Sequence, residues 1–462
     1  MPAIERPLWG SRVHAPLSAV AVELSSSTQV DLPLAVHDIA ASRAHVDELA
    51  SLGILTEEGR DRLDGVLADV AAAIESGGFA WSEAREDVHM NVEARVREVV
   101  GAELAGQLQA GRSRNDEVVT DERLWLRDTA GRVDSLMLDL ERTLARRAEE
   151  EIETVLPAHT HTQPAQPVLL AHHLLAYVEM LDRDRGRLAD ASRRADRSPA
   201  GSGAAVGSGL AVDRYRVAKR LGFADITANS LDAVADRDYA VEAVAAAAIA
   251  LGHLSRLAAD LVLWSTPYLR FVRISDGYAT GSSMLPNKRN PDIAELIRAR
   301  AARASGNVAA MLAILHGLPL GYHRDLQETR EPMLDTIGSL ELCLRAADGM
   351  LADVAFDREA MAAAASAGHA LSTALAERLA ATGVPFRDAH WRIGELVAQA
   401  EARGCDVSEL PDDELRALLP ELAGAGPLVP TISQALDAAD VPGGTAPARV
   451  REALRIVKER LG

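Results

Sequence analysis

Aromatic residues are scarce in this sequence, since Phe, Trp and Tyr together make up 3% of 462 residues. Aromatic side chains are enriched in β-strands, so their scarcity argues against a sheet sandwich and favours helices that pack through Ala, Leu and Val. The apolar content of 48% and the charged content of 25% are those of an ordinary globular chain. We therefore expect a helical protein.

Cysteine is also nearly absent. Cys343 and Cys405 cannot form a disulfide framework and supply no CxxC pair, which favours a reducing compartment and argues against structural zinc. The start of the sequence lacks the pattern of a secretory leader, and no unbroken apolar run of membrane length is evident. We expect a cytoplasmic protein without a membrane segment.

Positive charge is the third shortage, because the formal net charge is −19. Such a chain repels nucleic acid and anionic membrane surfaces. It also repels an acidic substrate from most of its surface, so any anion site must be a local positive island.

What the sequence has in abundance is long helical segments. Apolar residues recur every three to four positions between 131 and 157, and Pro157 ends that run. The segment 238–264 is apolar almost all round, which is typical of a helix inside a bundle or at a subunit interface. A third long segment follows at 293–315. These lengths exceed the usual ~11–12 residues and predict a bundle extended along one axis.

The regions on either side of these segments have a different pattern. Shorter segments broken at glycines precede residue 110, and short helices and turns follow residue 355. A chain of this length exceeds one simple core. We predict three domains, an N-terminal helical domain at 1–110, a central bundle at 111–355 and a small C-terminal helical domain at 356–462.

Five polar stretches, three of which contain glycine, lie at the ends of the long helical segments. Each has an ordinary structural interpretation. The stretch after Gly111 could simply cap a helix, a lone histidine near residue 160 is usually structural, and Arg237 between two aspartates could be a surface ion pair. The stretches are GRSRNDEVVTD (111–121), HTHTQPAQP (159–167), SPAGSGAAVGSG (198–209), NSLDAVADRDYAVE (229–242) and GSSMLPNKRNPD (281–292).

Together these stretches predict a binding site, because bundles place sites where polar helix ends converge. The glycine-rich stretch 198–209 is not followed by a strand and helix, so a dinucleotide cradle is unsupported. No HExxH, calcium loop, GxSxG or P-loop occurs. The sequence therefore predicts no metal and no cofactor.

GSSMLPNKRNPD suits proton abstraction next to a carboxylate. Removing that proton adds a second negative charge to an already ionised group, and fixed donors and cations must stabilise it. Lys288, Asn290 and loop N–H groups are such donors. Ser282 could be the base only if that field strongly favours its deprotonated form.

The same loop resembles the signature of the fumarase/aspartase superfamily, and within it the sequence is similar to the argininosuccinate lyase family along nearly its whole length. The resemblance implies an all-α, three-domain fold whose long central helical bundle assembles into a tetramer core of about 20 helices. It also implies a homotetramer with each active site built from three subunits. The matching motifs include LWGSR (8–12), EDVH (86–89), AGRSRND (110–116), HTQPAQP, GSGAAVGS, NSLDAVADRDY, YHRDLQE (322–328) and GGTAPARV (443–450).

The resemblance implies a lyase that cleaves the C–N bond of argininosuccinate by anti β-elimination, giving L-arginine and fumarate for arginine biosynthesis. Ser282 would take the Cβ proton on a mobile loop. His161, oriented by Glu295, would act near the leaving nitrogen, and Lys288 would stabilise the carbanion. The implied substrate-binding residues are Ser27, Asp87, Ser113, Arg114, Asn115, Thr160, Arg237, Asn290, Tyr322, Gln327 and Arg330.

Several positions depart from the usual family pattern, chiefly Leu285, Asn287, His323 and Arg330, with Asn91 nearby. An arginine in place of a lysine changes geometry, because a planar fork replaces a point charge. These departures bear on the substrate and not on the mechanism, and two alternatives stay open. One is a related lyase that releases fumarate from another N-substituted aspartate, and the other is a non-enzymatic relative, which the intact catalytic set disfavours.

Overall fold

A computed structural model describes residues 17–422, 424 and 427–462. The LWGSR motif (8–12) lies outside these residues. The chain is mostly helical, which confirms the expected fold class. Its α-helices are Ala19–Ser25, Thr28–Asp31, Ala35–Ser51, Glu57–Glu75, Val88–Val100, Ala102–Gln107, Arg114–Glu150, Leu170–Ala195, Arg214–Arg220, Ser230–Ala235, Asp238–Trp264, Asp292–Leu315, Arg330–Asp353, Arg358–Ala365, Ser372–Ala380, Phe386–Arg403, Asp412–Leu418, Ile432–Ala438 and Pro447–Leu461.

Short 3-10 helices and two-stranded pairings connect these elements. The 3-10 helices are Leu32–Leu34, Asp276–Tyr278, Arg324–Thr329, Val407–Glu409 and Pro420–Leu422. The antiparallel pairs are Val155–Thr160 with Gln163–Leu169, Val272–Arg273 with Ala355–Phe356, and Thr280–Gly281 with Arg289–Asn290, and the parallel pair is Arg197–Ser198 with Asp225–Ile226.

The three long helices predicted from periodicity are all present. Arg114–Glu150 has 37 residues, Asp238–Trp264 has 27 and Asp292–Leu315 has 24. Each has at least twice the ~11–12 residues of an average globular helix. The expectation of long helices is confirmed.

The chain divides into two compact units. The first comprises Met1–Gly131, Ala189–Ala245 and Gly306–Ile337, and the second comprises Arg132–Leu188, Ala246–Ser305 and Gly338–Gly462. Neither unit is continuous in sequence, because the chain leaves each unit and later returns to it. The division into domains at residues 110 and 355 stays a prediction.

A leucine- and valine-rich core supports the first unit. Ile39, Leu49, Leu63, Leu67 and Val96 are all within 1% of complete burial and belong to one cluster. They come from helices whose apolar residues recur every three or four positions, so one stripe of each helix faces the core. Burying each such side chain contributes about 1.5–3 kcal/mol.

The C-terminal part of the second unit has its own core. Leu375, Leu379, Ile393 and Leu396 are buried together there. The helix Phe386–Arg403 ends at Gly404, whose φ of 69° is the left-handed conformation that glycine adopts without strain. This small helical core does not depend on aromatic side chains, as the composition predicted.

The helix Asp238–Trp264 is long and apolar enough, by length and composition, to cross a membrane. Its most apolar window has a mean hydropathy of 1.4 and is 44% buried. The pattern of this segment, apolar almost all round, predicts a helix in a bundle or at a subunit interface, although no unbroken apolar run of membrane length was expected. Two of its large side chains, Ile249 and Leu263, are 43% and 44% exposed.

Candidate active site

One cavity in the first unit gathers residues that are far apart in sequence. Its volume is about 510 Å³, within the range of about 300–1,000 Å³ that small-molecule sites occupy. Eight of the residues predicted to bind substrate line it, namely Ser27, Asp87, Ser113, Arg114, Asn115, Tyr322, Gln327 and Arg330.

Asp87 is fixed on one wall of this cavity by three sets of contacts. Its Oδ1 accepts the N–H of Met90 at 2.8 Å and so caps the following helix. Its Oδ2 accepts from Arg114 Nη1 at 2.9 Å. Asn91, which is fully buried, donates to the carbonyl oxygen of Asp87 at 2.9 Å. Asn91 therefore fixes the backbone of Asp87 in place.

Ser113, Asn115 and Asp116 connect the start of the longest helix to the glycine-rich stretch 198–209. Ser113 Oγ accepts the N–H of Asn115 at 3.3 Å, so the capping interpretation holds. Asp116 accepts N–H groups from Ser113 at 3.1 Å and from Gly203 at 2.8 Å. Burial raises the pKa of Asp116 to about 6, although those two N–H groups act to lower it.

Position 203 requires glycine, because a side chain there would collide with the backbone. Its φ is 61°, and a Cβ there would lie 2.6 Å from the carbonyl oxygen of Gly207. The Asn115 amide donates to the carbonyl oxygen of Ala204 at 3.0 Å. The glycines therefore allow a tight loop against Asn115, and they do not form a dinucleotide cradle.

A buried ion-pair chain lies behind the cavity. Arg330 donates to Asp31 at 2.7 Å and to Glu122 at 3.1 Å, and Asp31 also accepts from Ser27 Oγ at 2.5 Å. Arg237 Nε lies 3.3 Å from Glu122. Arg237 is 1% exposed, so its interpretation as a surface ion pair is wrong. It does not line the cavity.

Four further lining residues were not among the predicted ones: Glu86, Gln109, Val118 and Arg324. Arg324 donates to Glu86 at 2.5 Å and to the carbonyl oxygen of Ser25 at 2.7 Å. Glu86 and Arg324 stand inside the quoted motifs EDVH and YHRDLQE, and Val118 follows Asn115 by one helical turn. The motifs therefore contained a signal for three of the four.

Thr160 and His161 lie in the second unit, at the tip of a β-hairpin. The strands Val155–Thr160 and Gln163–Leu169 pair so that Thr160 faces Gln163, which leaves His161 and Thr162 as a two-residue turn. Their φ angles are 53° and 60°, as a type I′ turn requires. Both are exposed. Non-glycine residues rarely adopt this conformation, and such strain often accompanies function.

Ser282 lies at the start of a loop closed by the strand pair Thr280–Gly281 and Arg289–Asn290. Its Oγ accepts the N–H groups of Met284 at 3.2 Å and of Leu285 at 3.0 Å. Two N–H donors directed at one hydroxyl oxygen favour its negatively charged form. The loop geometry is therefore compatible with a serine base.

The other predicted groups of the second unit are more open. Lys288 and Glu295 are exposed and Asn290 is half-buried. Among the described residues, Lys288 has no ion-pair partner, and no hydrogen bond or ion pair joins His161 to Glu295. Arg289, which was assigned no role, ties the loop to Asp276 at 2.5 Å. The orientation of His161 by Glu295 stays a prediction.

Comparison with known proteins identifies the family. A family model described as lyase matches residues 11–306, and one described as argininosuccinate lyase C-terminal matches residues 369–441. A protein named argininosuccinate lyase from Hyphomonas neptunium (strain ATCC 15444) is 44% identical over 455 residues, covering 98% of each chain. The chain belongs to the argininosuccinate lyase family. A second protein of that name, from Thioalkalivibrio sulfidiphilus (strain HL-EbGR7), is 44% identical over 457 residues, covering 98% of this chain and 97% of its own.

The chain also shares its fold with a lyase of known structure. An EDDS lyase variant with bound fumarate superposes with a TM-score of 0.81 at 25% sequence identity, covering 96% of this chain and 88% of that one. The superfamily resemblance drawn from the motifs is thereby confirmed. The individual roles of the site residues stay predictions.

Proposed function

We propose that this protein cleaves argininosuccinate by anti β-elimination to L-arginine and fumarate, reversibly. The observation that carries the proposal is the cavity lined by eight of the residues predicted to bind substrate. The 44% identity to proteins named argininosuccinate lyase supports this choice of substrate.

The charges of the cavity suit this substrate. Argininosuccinate carries both carboxylates and a guanidino group, so its site needs donors and acceptors. Arg114, Arg324 and Arg330 place guanidinium donors in the cavity, each already paired with a carboxylate. The cavity therefore holds charges of both signs rather than the local positive island expected for a chain of net charge −19. Glu86 and Asp87 supply carboxylates that can accept from a guanidinium.

The elimination needs a base at Cβ and an acid at the leaving nitrogen. Ser282 would take the Cβ proton, and the electron pair left behind would form the C=C bond of fumarate as the Cα–N bond breaks. The departing nitrogen would gain a proton with the help of His161. The two N–H groups directed at Ser282 Oγ support its role as base, because they stabilise negative charge there.

The intermediate carbanion adds charge to the neighbouring carboxylate. Lys288 has an exposed ammonium group without an ion-pair partner among the described residues, so it is available to this carboxylate. Asn290, two residues on, would donate from its amide. Thr160, beside His161 at the hairpin tip, would hold a succinyl carboxylate.

We infer that the protein works as a cytoplasmic homotetramer with active sites shared between subunits. Large apolar side chains are exposed along its long helices, and contiguous exposed apolar surface often marks an interface. The two cysteines are free, in keeping with a reducing compartment. The exposed side chains are Ile249, Leu263, Leu296, Leu312 and Leu342.

A second candidate is cleavage of a different N-substituted aspartate to fumarate. The structural similarity to an EDDS lyase variant favours it, and so do Leu285, Asn287 and His323, which depart from the usual family pattern. Asn91 and Arg330 also depart from the pattern, and both are buried and hydrogen-bonded. Asn91 contacts Asp87, and Arg330 contacts Asp31, the partner of Ser27, so both help to position the cavity wall.

A substrate panel separates the two candidates. Purified protein is mixed with argininosuccinate or with other N-substituted aspartates, and fumarate is followed by its ultraviolet absorbance. We expect turnover of argininosuccinate above all others. If only another N-substituted aspartate releases fumarate, the second candidate function is correct. If no substrate releases fumarate, both candidates are wrong.

Ser282→Ala tests the chemistry separately. We expect kcat to fall by about 10²–10⁴-fold, the usual contribution of a positioned base, with unchanged oligomer mass by light scattering. Ser283→Ala is the matched control, since it removes the neighbouring exposed hydroxyl, and should behave like wild type. Near-wild-type turnover by Ser282→Ala would exclude Ser282 as the base.

A further inference from the structure

The glycine-rich stretch, to which no role has been assigned, is held in place by side chains of the first unit. Arg214 donates to the carbonyl oxygen of Ala200 at 3.0 Å and to Ser202 Oγ at 3.1 Å. Ser230 Oγ donates to the carbonyl oxygen of Ala205 at 2.9 Å. Contacts from two separate segments therefore fix both the beginning and the middle of this stretch.

Asp116 joins the glycine-rich stretch to the start of the longest helix. Its Oδ1 accepts the N–H of Ser113 at 3.1 Å, and its Oδ2 accepts the N–H of Gly203 at 2.8 Å. The residue is 2% exposed, so water has little access to either contact. Each carboxylate oxygen therefore holds a different segment of backbone.

The same stretch fixes the side chain of Asn115. The amide nitrogen of Asn115 donates to the carbonyl oxygen of Ala204, the residue after Gly203, at 3.0 Å. A carbonyl oxygen can only accept a hydrogen bond, so the NH₂ end of the carboxamide faces the stretch. The second N–H of that NH₂ group can then donate to a ligand in the cavity.

These contacts bear on binding because Ser113 and Asn115 line the cavity, whereas the lining includes neither Asp116 nor the glycine-rich stretch. Hydroxyl and amide donors suit a carboxylate, since hydrogen bonds to a charged acceptor are strong. A donor that is already oriented binds more tightly than one that rotates freely, because less side-chain freedom is lost on binding. Asp116 can therefore affect binding through Ser113 and Asn115.

We propose that Asp116 and the glycine-rich stretch together hold Ser113 and Asn115 in the orientation that binds a succinyl carboxylate of the substrate. This inference rests on the proposed function, because that function supplies the carboxylate. It holds for either candidate substrate, since both contain the succinyl group. Asp116 is a positioning residue, because it acts through its neighbours and does not line the cavity.

The alternative is that Asp116 only closes the start of its helix by accepting the N–H of Ser113, as capping side chains do. Capping does not require the contact with Gly203, which is 87 residues away in the sequence. Loss of a cap lowers stability and leaves KM unchanged, so kinetic measurements separate the two roles.

Asp116→Asn tests the proposal in the full-length protein, with fumarate release from the substrate that the panel identifies. The assay is run well above the Asp116 pKa of about 6. The amide keeps one acceptor oxygen but turns its NH₂ group toward one of the two N–H donors, so one contact is lost. We expect KM to rise by about 10–100-fold while kcat stays within about threefold, as for a loss of binding without a loss of chemistry.

The matched control is Asp357→Asn. Asp357 accepts the N–H of Ala360 at 2.9 Å and caps the helix Arg358–Ala365 in the second unit, so this variant also alters a capping carboxylate. Its KM should equal that of wild type. An Asn115→Ala background adds a direct check, because Asp116→Asn should raise KM clearly less there than in the wild type.

Gly203→Ala moves the stretch without changing any charge, and it decides the question if Asp116→Asn fails to fold. Its Cβ would lie 2.6 Å from the carbonyl oxygen of Gly207, so the N–H of Gly203 and the carbonyl of Ala204 must shift. We expect the same rise in KM. Gly209→Ala is the matched control and should behave like wild type, because among the described residues no atom beyond its chain neighbours lies within 4 Å of the added Cβ.

Folded Asp116→Asn and Gly203→Ala variants with the KM of wild type would overturn the proposal and leave Asp116 as a helix cap. A fall in kcat at unchanged KM would also contradict it, and so would an equal effect of Asp116→Asn with and without the Asn115 side chain. If the wild type releases no fumarate from any substrate, the proposed function itself is wrong. Normal turnover by the wild type therefore distinguishes a failure of the positioning role from a failure of the proposed function.

Discussion

The two units place the predicted site residues in opposite environments. In the first unit, Asp87 and Arg114 pair at 2.9 Å, and Arg330 is 3% exposed between two carboxylates. In the second unit, His161 and Lys288 are exposed on a hairpin tip and a loop. Most of the residues predicted to recognise substrate are therefore held in advance, whereas Thr160 and most of the residues predicted to perform the chemistry are not.

This difference follows from what each group has to do. Recognition gains from rigid, paired side chains, because little ordering remains to be done on binding. A group that must receive charge or move a proton cannot already be saturated by partners. Exposed catalytic groups also suit a site completed by another surface, which is how we expect a shared active site to form.

The largest expected contrast is between Arg330→Met and Lys288→Met. Removing Arg330 leaves Asp31 and Glu122 as buried charges without their shared partner, so we expect the free energy of unfolding to fall by about 3–5 kcal/mol. Lys288→Met should leave that free energy within about 0.5 kcal/mol and lower kcat by about 10²–10³-fold. Urea unfolding and fumarate release measure the two effects.

Arg455→Ala is the control for loss of a cation, since Arg455 pairs with Glu459 at 2.6 Å on an exposed helix face. Such pairs contribute about 0.3–0.5 kcal/mol. If Lys288→Met were as destabilising as Arg330→Met, the contrast between the two units would be wrong.

Most of the residues that line the cavity could be predicted from the sequence, because they stand together in short motifs. EDVH, SRND and YHRDLQE each contain several of the lining residues. Helix periodicity identified the three long helices, but the expectation that Pro157 ends the first was wrong, because that helix ends at Glu150 and Pro157 lies in a strand. The buried partners Asp31 and Glu122 could not be found this way. They stand in no motif, and only the tertiary structure shows that both meet Arg330.

The hairpin at 155–169 was also not predicted. Its three prolines and polar residues are typical of a loop before a helix, and strands normally avoid proline except at edges. A two-stranded hairpin consists of edge strands only, so proline is tolerated there. His161 and Thr162 gave no signal either, because a type I′ turn is usually signalled by Asn-Gly.

A smaller effect is expected at the tip of that hairpin. Thr162 has a φ of 60°, and the left-handed conformation costs a non-glycine residue about 1–2 kcal/mol. Thr162→Gly should therefore raise the free energy of unfolding by about 1 kcal/mol. In contrast, Ala165→Gly in the adjoining strand should lower it by about 0.5–1 kcal/mol. Destabilisation by Thr162→Gly would show that the threonine side chain holds the turn.

The smallest effect concerns pH and a buried carboxyl of the second unit. Burial raises the pKa of Glu141 from 4.5 to about 7, opposed by Arg185 at 3.1 Å. The folded protein therefore retains this proton after the unfolded chain has lost it, so stability should fall as the pH rises through this range. Glu141→Gln should flatten the dependence of the thermal midpoint on pH. Parallel curves for wild type and variant would mean that Arg185 fully offsets the burial of Glu141.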